Sequence, residues 1–161
     1  MSAPIIGFPS VVNEKAARVV AGFVAALGVL VLVTGWHWVT ALMAAGFLLR
    51  VLGGPRYSPI GRVAAQVIAP RLGRVVPTAG PPKRFAQAIG LGFTGVAAVA
   101  ALAFGATGLA SVLIGVLVVC ALLEAAVGWC AGCFVFAQLM RWGLIPEETC
   151  EACNNLALAR Q

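Results

Sequence analysis

Four apolar runs of membrane-spanning length constrain the fold of this chain more than any other feature. They cover residues 16–33, 36–52, 85–104 and 109–127. About 20 consecutive apolar residues make a helix long enough to cross the hydrocarbon core of a bilayer. Hydrophobic residues make up 61% of the chain and charged residues only 10%, and a water-soluble protein of 161 residues could not bury so much apolar surface. We therefore expect an all-α membrane protein with four transmembrane helices.

Short connections join the first run to the second and the third run to the fourth. Thr34-Gly35 interrupts the first pair of runs, and residues 105–108 interrupt the second pair. Such short connections predict two antiparallel helical hairpins. The third run is rich in alanine and glycine, and small residues let helices approach closely in lipid. We expect this third helix to lie at the centre of the bundle.

The segment between the two hairpins, residues 55–84, is basic and rich in proline and glycine. Within it, Ser58-Pro59 is typical of a helix N-cap followed by proline at the first helical position. Apolar residues then recur at helical spacing over residues 59–69, with Arg62 and Gln66 on the other face. This pattern predicts an amphipathic helix in the membrane interface, and a surface helix in an ordinary loop fits it as well.

All eleven basic residues fall at one end of the predicted bundle, and the two turns at the opposite end contain none. Lys and Arg accumulate in cytoplasmic loops, so the predicted topology is multi-pass with both termini and the central loop in the cytoplasm. The confinement of positive charge to these segments argues against a nucleic-acid partner, and the expected partner is the lipid bilayer. The basic residues are Lys15, Arg18, Arg50, Arg56, Arg62, Arg71, Arg74, Lys83, Arg84, Arg141 and Arg160.

Two Cys-x-x-Cys pairs follow the fourth run with the spacing C-x2-C-x16-C-x2-C. Cys130/Cys133 falls near the end of a membrane domain that we assign to residues 1–143. Cys150/Cys153 falls in a short cytoplasmic tail, residues 144–161. One continuous helix over residues 109–142 would be about 51 Å long, well beyond the roughly 30 Å hydrocarbon core. We therefore predict a helix break near residues 128–132, beside the first pair.

The two pairs differ in their expected chemistry. A thiolate is the reactive form of cysteine, and its pKa falls near a cation or a helix N-terminus, which a helix beginning near Trp129 would supply to Cys130. Acidic neighbours of the second pair, Glu147, Glu148 and Glu151, have the opposite effect. A cytoplasmic location also disfavours a permanent disulfide. We expect Cys130/Cys133 to be the reactive pair and Cys150/Cys153 to be a second relay pair.

Glu124 is the only acidic residue inside a predicted span. An ionisable side chain within the membrane is a functional candidate by default. Glu124 either accepts a proton from Cys130 or forms an ion pair with Arg50 of the second helix, and we favour the ion pair. Cys120, in the middle of the fourth span, is expected to pack as a small apolar residue, and His37 is expected to lie at the membrane interface.

Three functional hypotheses follow. The first is a membrane thiol–disulfide or sulfur-relay protein, whose expected partner is a cytoplasmic thioredoxin-like or sulfur-transfer protein. The second is a non-enzymatic scaffold or accessory subunit in which Cys130, Cys133, Cys150 and Cys153 bind Zn or an Fe–S centre, because zinc ribbons use similar spacings. The third is a transporter component that uses Glu124. We favour the first over the second because the residues around the first pair are apolar, unlike those of typical zinc knuckles.

The chain also resembles a family of bacterial integral membrane proteins known as DUF4395. The resemblance extends to about residue 143, so that it does not include Cys150/Cys153. It implies a small protein of the bacterial cell membrane and assigns no activity. The matching segments are Asn13-Glu14 with Arg18, Gly53-Gly54-Pro55-Arg56-Tyr57-Ser58-Pro59, Gly80-Pro81-Pro82-Lys83-Arg84-Phe85-Ala86-Gln87, and Leu123-Glu124 through Gly128-x-Cys130-x-Gly132-Cys133.

Overall fold

The computed structural model describes residues 8–150 and Cys153, and it is dominated by helices. Within these residues, four helical stretches are long and apolar enough to cross a membrane, which confirms the predicted membrane fold. The strands and α-helices in chain order are β1 (Val11–Asn13), α1 (Glu14–Thr34), α2 (Trp38–Gly53), α3 (Pro59–Val63), β2 (Pro77–Ala79), α4 (Gly80–Phe104), α5 (Thr107–Val127) and α6 (Ala131–Arg141). Short turns of other helix types follow α2 (Gly54–Arg56), continue α3 (Ala64–Ile68 and Ala69–Leu72) and lead to the first tail cysteine (Glu147–Cys150).

A two-stranded ribbon ties together the starts of α1 and α4. Strands β1 and β2 pair antiparallel, with Val12 opposite Thr78. Each strand runs directly into its helix, and the backbone N–H of Gly80 donates to the carbonyl of Ser10 at 2.7 Å. Sequence reasoning missed this ribbon because strands of three residues are too short to show a periodic pattern.

Helix α4 begins at Gly80, five residues before the run predicted at residues 85–104. Pro81 and Pro82 occupy its first turn, where the missing N–H of proline costs nothing because the first amides of a helix have no partner within the helix. This early start places Lys83 inside the helix instead of in the preceding loop.

The spans do not pack mainly against the helices to which they are joined in sequence. Helix α1 packs chiefly on α5, and α2 packs chiefly on α4. Small residues permit both contacts: Gly28 of α1 lies against Val118 of α5, and Gly90 of α4 lies against Phe47 of α2, so a side chain at either glycine would overlap its neighbour. Helix α4 also contacts α5 and α6, which confirms its predicted central position.

The segment around α3 lies across the basic end of the bundle. The side chain of Ser58 accepts a hydrogen bond from the Gly61 amide at 3.2 Å, as expected for the N-cap. The segment packs on α1 and buries Gly61 and Ala64, whereas Val63 and Val67 are exposed. Part of the predicted apolar face therefore packs on the protein, and part stays exposed, as expected of a helix in the membrane interface.

Exposed tryptophans mark both ends of the bundle. Trp36 and Trp38 flank His37 at the turn between α1 and α2, with their ring centroids 6.4 Å apart. Trp129 and Trp142 are exposed at the opposite end, beside α6. Tryptophan is enriched at membrane–water interfaces. The two groups of tryptophans therefore lie where the ends of membrane-crossing helices would meet those interfaces.

Candidate functional site around Cys130

Cys130 and Cys133 lie at the start of α6, just after the break between α5 and α6. Gly128 adopts a left-handed conformation (φ 78°) that ends α5, and Cys130 is the extended N-cap residue of α6. The predicted break is thereby confirmed. Cys130 is only 8% exposed, whereas Cys133, in the first turn of α6, is half-buried, and both are free thiols.

The surroundings favour a thiolate at Cys130. A hydrogen bond from the Cys133 thiol lowers the pKa of Cys130, against the opposing effects of burial and of the Glu124 carboxylate. The Lys83 cation and the Cys133 backbone amide, one of the unpaired amides at a helix start, lower the pKa further. The same hydrogen bond, together with burial, raises the pKa of Cys133. Cys130 is therefore the thiol that ionises first.

Lys83 and Glu124 form a salt bridge that joins α4 to α5. The predicted pair of Glu124 with Arg50 is wrong. Arg50 instead donates from Nε to Oε1 of Gln87 at 2.8 Å, and its guanidinium lies 4.5 Å from the centroid of the Phe47 ring. The reason is the packing order: α2 packs on α4, so that Arg50 reaches an α4 side chain, whereas the buried face of α4 presents Lys83 toward α5.

Lys83 is the site residue that sequence reasoning missed, although the sequence contains a signal for it. Small and polar residues recur every three or four positions along α4 from Lys83 through Gln87, Gly90, Thr94 and Ala97. This spacing defines one face of a helix, and Gly90, Thr94 and Ala97 on it are buried. Lys83 was counted as a loop residue because the helix was expected to begin at residue 85.

A cavity of about 100 Å³ lies among α1, α2, α4 and α5 beside the start of α6. Cys120, Glu124 and Cys130 all line this cavity, together with Phe47 and Gln87. A straight helix would have turned Cys130 away from the face that carries Cys120 and Glu124. The break after α5 brings the three residues to one mostly apolar cavity, in which Cys120 is a free, half-buried thiol.

Two contacts hold the break in place. Gly132 of α6 packs so closely on Ala86 of α4 that a side chain at this position would overlap it. Arg18 of α1 donates from Nε to the carbonyl of Ala125 at 3.1 Å and from Nη2 to that of Ala126, and a cation is favourable at the C-terminal end of a helix. The end of α5 is thus capped where the chain turns toward Cys130.

The second cysteine pair lies apart from this cavity. Cys150 and Cys153 are joined by a disulfide, contrary to the expectation of a reduced pair, and their Cα atoms lie 5.3 Å apart, within the distance that a disulfide spans. Cys150 is 1% exposed, and Cys153 lines a separate pocket with Pro82 and Phe136. Glu151 and Arg160 lie outside the described residues, as do the other residues after Cys150 except Cys153.

The geometry does not fit the alternative metal site at Cys130, Cys133, Cys150 and Cys153. Two of these four cysteines are bonded to each other. In the part of the chain that the structure describes, no group of three or more His, Cys, Asp or Glu residues is placed to hold a metal ion. A tetrahedral Zn or Fe–S site would require all four thiolates to converge.

Comparison with known proteins identifies a family and nothing more specific. No curated protein and no solved structure matches the sequence. Residues 12–141 match the family described as "Domain of unknown function (DUF4395)". The matched region contains Lys83, Glu124, Cys130 and Cys133, and it ends before Cys150. Because the match covers most of the 161 residues, the chain belongs to the DUF4395 family.

Proposed function

We propose that this protein is a membrane thiol–disulfide exchange or sulfur-relay protein whose reactive group is the Cys130 thiolate. The observation that carries the proposal is the position of Cys130 at the N-cap of α6, where the Cys133 thiol and the Lys83 cation both lower its pKa. A thiolate is the form of cysteine that attacks disulfides, and a nearby second thiol is the group that resolves the product.

In the exchange reaction, the Cys130 thiolate attacks one sulfur of a partner disulfide. A bond forms between Cys130 and that sulfur while the partner disulfide breaks, and the other partner sulfur leaves as a thiolate. Cys133 then loses its proton and attacks the Cys130 sulfur, which releases the second partner sulfur. The protein dithiol is oxidised to a Cys130–Cys133 disulfide, and the partner disulfide is reduced to two thiols.

In the sulfur-relay reaction, the same thiolate attacks the outer sulfur of a persulfide. The sulfur–sulfur bond of the donor breaks, the donor leaves as a thiolate, and Cys130 becomes the persulfide. Transfer to an acceptor thiolate reverses these steps and regenerates the Cys130 thiolate. Both reactions require the same first step, so the structural reasoning for Cys130 applies to each.

We assign Lys83 and Glu124 supporting roles. Lys83 stabilises the thiolate by its charge, and Glu124 holds the Lys83 ammonium by the salt bridge between α4 and α5. Glu124 already accepts a hydrogen bond from Lys83, which favours this positioning role over accepting the proton of Cys130. The transporter hypothesis for Glu124 stays a prediction, to be tested by measuring uptake in a Glu124→Gln variant.

We propose that the site faces the cytoplasm. Basic side chains gather at the end of the bundle where α6 begins: Arg18 contacts the end of α5, Lys15 donates to the carbonyl of Leu72 at 2.7 Å, and Arg84 donates to that of Val51 at 3.1 Å. Lys and Arg mark the cytoplasmic side. A thioredoxin-like or sulfur-transfer protein is the expected partner, and cysteine labelling from each side of sealed vesicles tests this orientation.

The tail pair is the proposed second element of the relay. Cys153 lines the same pocket as Phe136, which lies one turn of α6 beyond Cys133. A disulfide at Cys150/Cys153 and a dithiol at Cys130/Cys133 are the two oxidation states between which an exchange takes place. Electrons would pass from the first pair to the second, which leaves Cys130/Cys133 oxidised and the tail pair reduced.

The test is the stoichiometry of reaction with a small disulfide, dithiodipyridine, in a background that lacks Cys120, Cys150 and Cys153. The reagent is supplied at one equivalent per protein. With Cys130 and Cys133 present, each reagent molecule should yield two pyridinethiones, because Cys133 resolves the mixed disulfide formed at Cys130. Cys133→Ser should release one and keep the mixed disulfide, and Cys130→Ser should lose the fast reaction. A fast reaction that survives Cys130→Ser would refute the proposal, as would a yield of only one pyridinethione per reagent molecule when both Cys130 and Cys133 are present.

A further inference from the structure

A second pocket, of about 250 Å³, lies at the basic end of the bundle next to the cavity of Cys130. It is lined by the segment before α1, the first turns of α1, the end of α2, the segment around α3 and the start of α4. Arg50, Arg56 and Lys83 line it, and within the described residues no acidic side chain does. The rest of the lining is mostly apolar. The charged groups of the pocket wall are therefore all positive.

Arg50 is the unusual residue of this pocket. It is only 5% exposed, and its pairings with the Gln87 amide and the Phe47 ring involve uncharged groups. Among the described residues, the only salt bridge is that of Lys83 with Glu124. A guanidinium remains charged at all ordinary pH values, and a buried charge is costly unless an opposite charge accompanies it.

The charges of the buried groups do not balance. The single Glu124 carboxylate forms the salt bridge with Lys83 and also attracts Arg50 electrostatically, whereas Arg50 itself forms no salt bridge within the described residues. One negative charge therefore faces two buried positive charges. Arg56, at the exposed edge of the pocket, adds a further positive charge. The planar guanidinium forms paired hydrogen bonds with carboxylate, phosphate and similar oxyanions, which are the ligands that would complete such a site.

We propose that this pocket binds a small oxyanion, with Arg50 as its buried ligand and Arg56 at its edge. Ala17, Val20 and Gln87 line both this pocket and the cavity of Cys130, so an anion held here lies beside the reactive thiol. The inference rests on the proposed function in one respect: it assigns a negatively charged oxygen group to the substrate of Cys130. Oxyanion binding itself requires no thiol.

The test measures binding of inorganic sulfate to the full chain in zwitterionic nanodiscs by isothermal titration calorimetry at constant ionic strength. We expect Arg50→Gln to weaken binding by about tenfold or more, since charge-assisted hydrogen bonds are the strong ones. Arg56→Gln, on the exposed edge, should weaken it less and covers the case in which Arg50→Gln does not fold. Arg71→Gln is the matched control, because it removes the same charge from an exposed residue outside the pocket.

Two further measurements complete the test. The first separates the possible sources of the oxyanion, and the second separates oxyanion binding from the proposed thiol chemistry of Cys130. If Arg50-dependent thermal stabilisation appears only in nanodiscs that contain phosphatidylglycerol, the oxyanion is a lipid headgroup. Cys130→Ser should bind sulfate like the unmodified protein, so failed thiol chemistry and failed anion binding are distinguishable. The inference is overturned if neither sulfate nor the anionic lipid depends on Arg50 and Arg56, or if Arg71→Gln weakens binding as much as Arg50→Gln.

Discussion

Replacing Lys83 with Met would leave the Glu124 carboxylate inside the bundle without its partner. The two side chains are 7% and 15% exposed, respectively. Removing one partner of a buried ion pair typically costs about 3–5 kcal/mol. Because the Glu124 side chain is still partly exposed, we expect a loss of unfolding free energy at the lower end of this range, about 3 kcal/mol. This loss is roughly a hundredfold change in the unfolding equilibrium.

A double variant, Lys83→Met with Glu124→Gln, tests this reasoning more directly. Glu124→Gln should cost less than Lys83→Met, because the glutamine carbonyl still accepts a hydrogen bond from Lys83. Lys83→Met combined with Glu124→Gln removes both charges, and replacing a whole buried pair is often close to neutral. The double variant should therefore be more stable than Lys83→Met alone, with a coupling free energy of about 2 kcal/mol.

The assay is reversible unfolding in mixed micelles by titration with a denaturing detergent, followed by circular dichroism. Lys15→Met is the matched control: Lys15 also donates to a distant residue, the carbonyl of Leu72 at 2.7 Å, but this hydrogen bond is exposed, so its loss should cost about 1 kcal/mol or less. If Lys83→Met costs no more than Lys15→Met, or if the double variant costs the sum of the singles, the salt bridge does not stabilise the fold as described.

Three other predictions concern the thiol and its support. Cys133 and Lys83 lower the pKa of Cys130. Alkylation of Cys130 should therefore stay fast below the pH values near 8.5 at which ordinary thiols ionise. Lys83→Met should move the midpoint of the rate–pH profile to higher pH. Gly132→Ala should force α6 away from α4 and cost about 1–3 kcal/mol of unfolding free energy, whereas Gly95→Ala, with open space around it, should not destabilise the protein. Arg18→Gln should weaken the cap on α5 and cost about 1–3 kcal/mol, measured by the same unfolding titration.

Each of these predictions has an outcome that contradicts it. An unchanged alkylation midpoint in Lys83→Met would mean that the cation does not stabilise the thiolate. Equal stability of Gly132→Ala and Gly95→Ala would show that α6 is not held closely on α4. Arg71 is the control for Arg18 because it is exposed. If Arg18→Gln lowers the free energy of unfolding no more than Arg71→Gln does, the effect is one of net charge and not of the cap on α5.

Part of the candidate site could be recognised in the sequence and part could not. Cys130 and Cys133 stand out because thiols at this spacing, next to an overlong apolar run, indicate a helix break beside a reactive pair. The partner of Glu124 was predicted wrongly because an ion pair depends on which helices touch, and α2 packs on α4 instead of α5. The disulfide between Cys150 and Cys153 was also missed, since the reasoning rested on the compartment and not on the distance between the two residues.

The sequence by itself determined that the chain forms four membrane-crossing helices with the basic residues at one end, because apolar length and charge distribution act locally along the chain. Only the tertiary structure decided which helices pack together, and with them the Lys83–Glu124 salt bridge, the cavity shared by Cys120, Glu124 and Cys130, and the burial of Arg50 without a salt bridge among the described residues. In lipid, such pairings arise from close contacts between small residues such as Gly28, Gly90 and Gly132 and their partners on other helices. Hydropathy along a single chain does not encode these contacts.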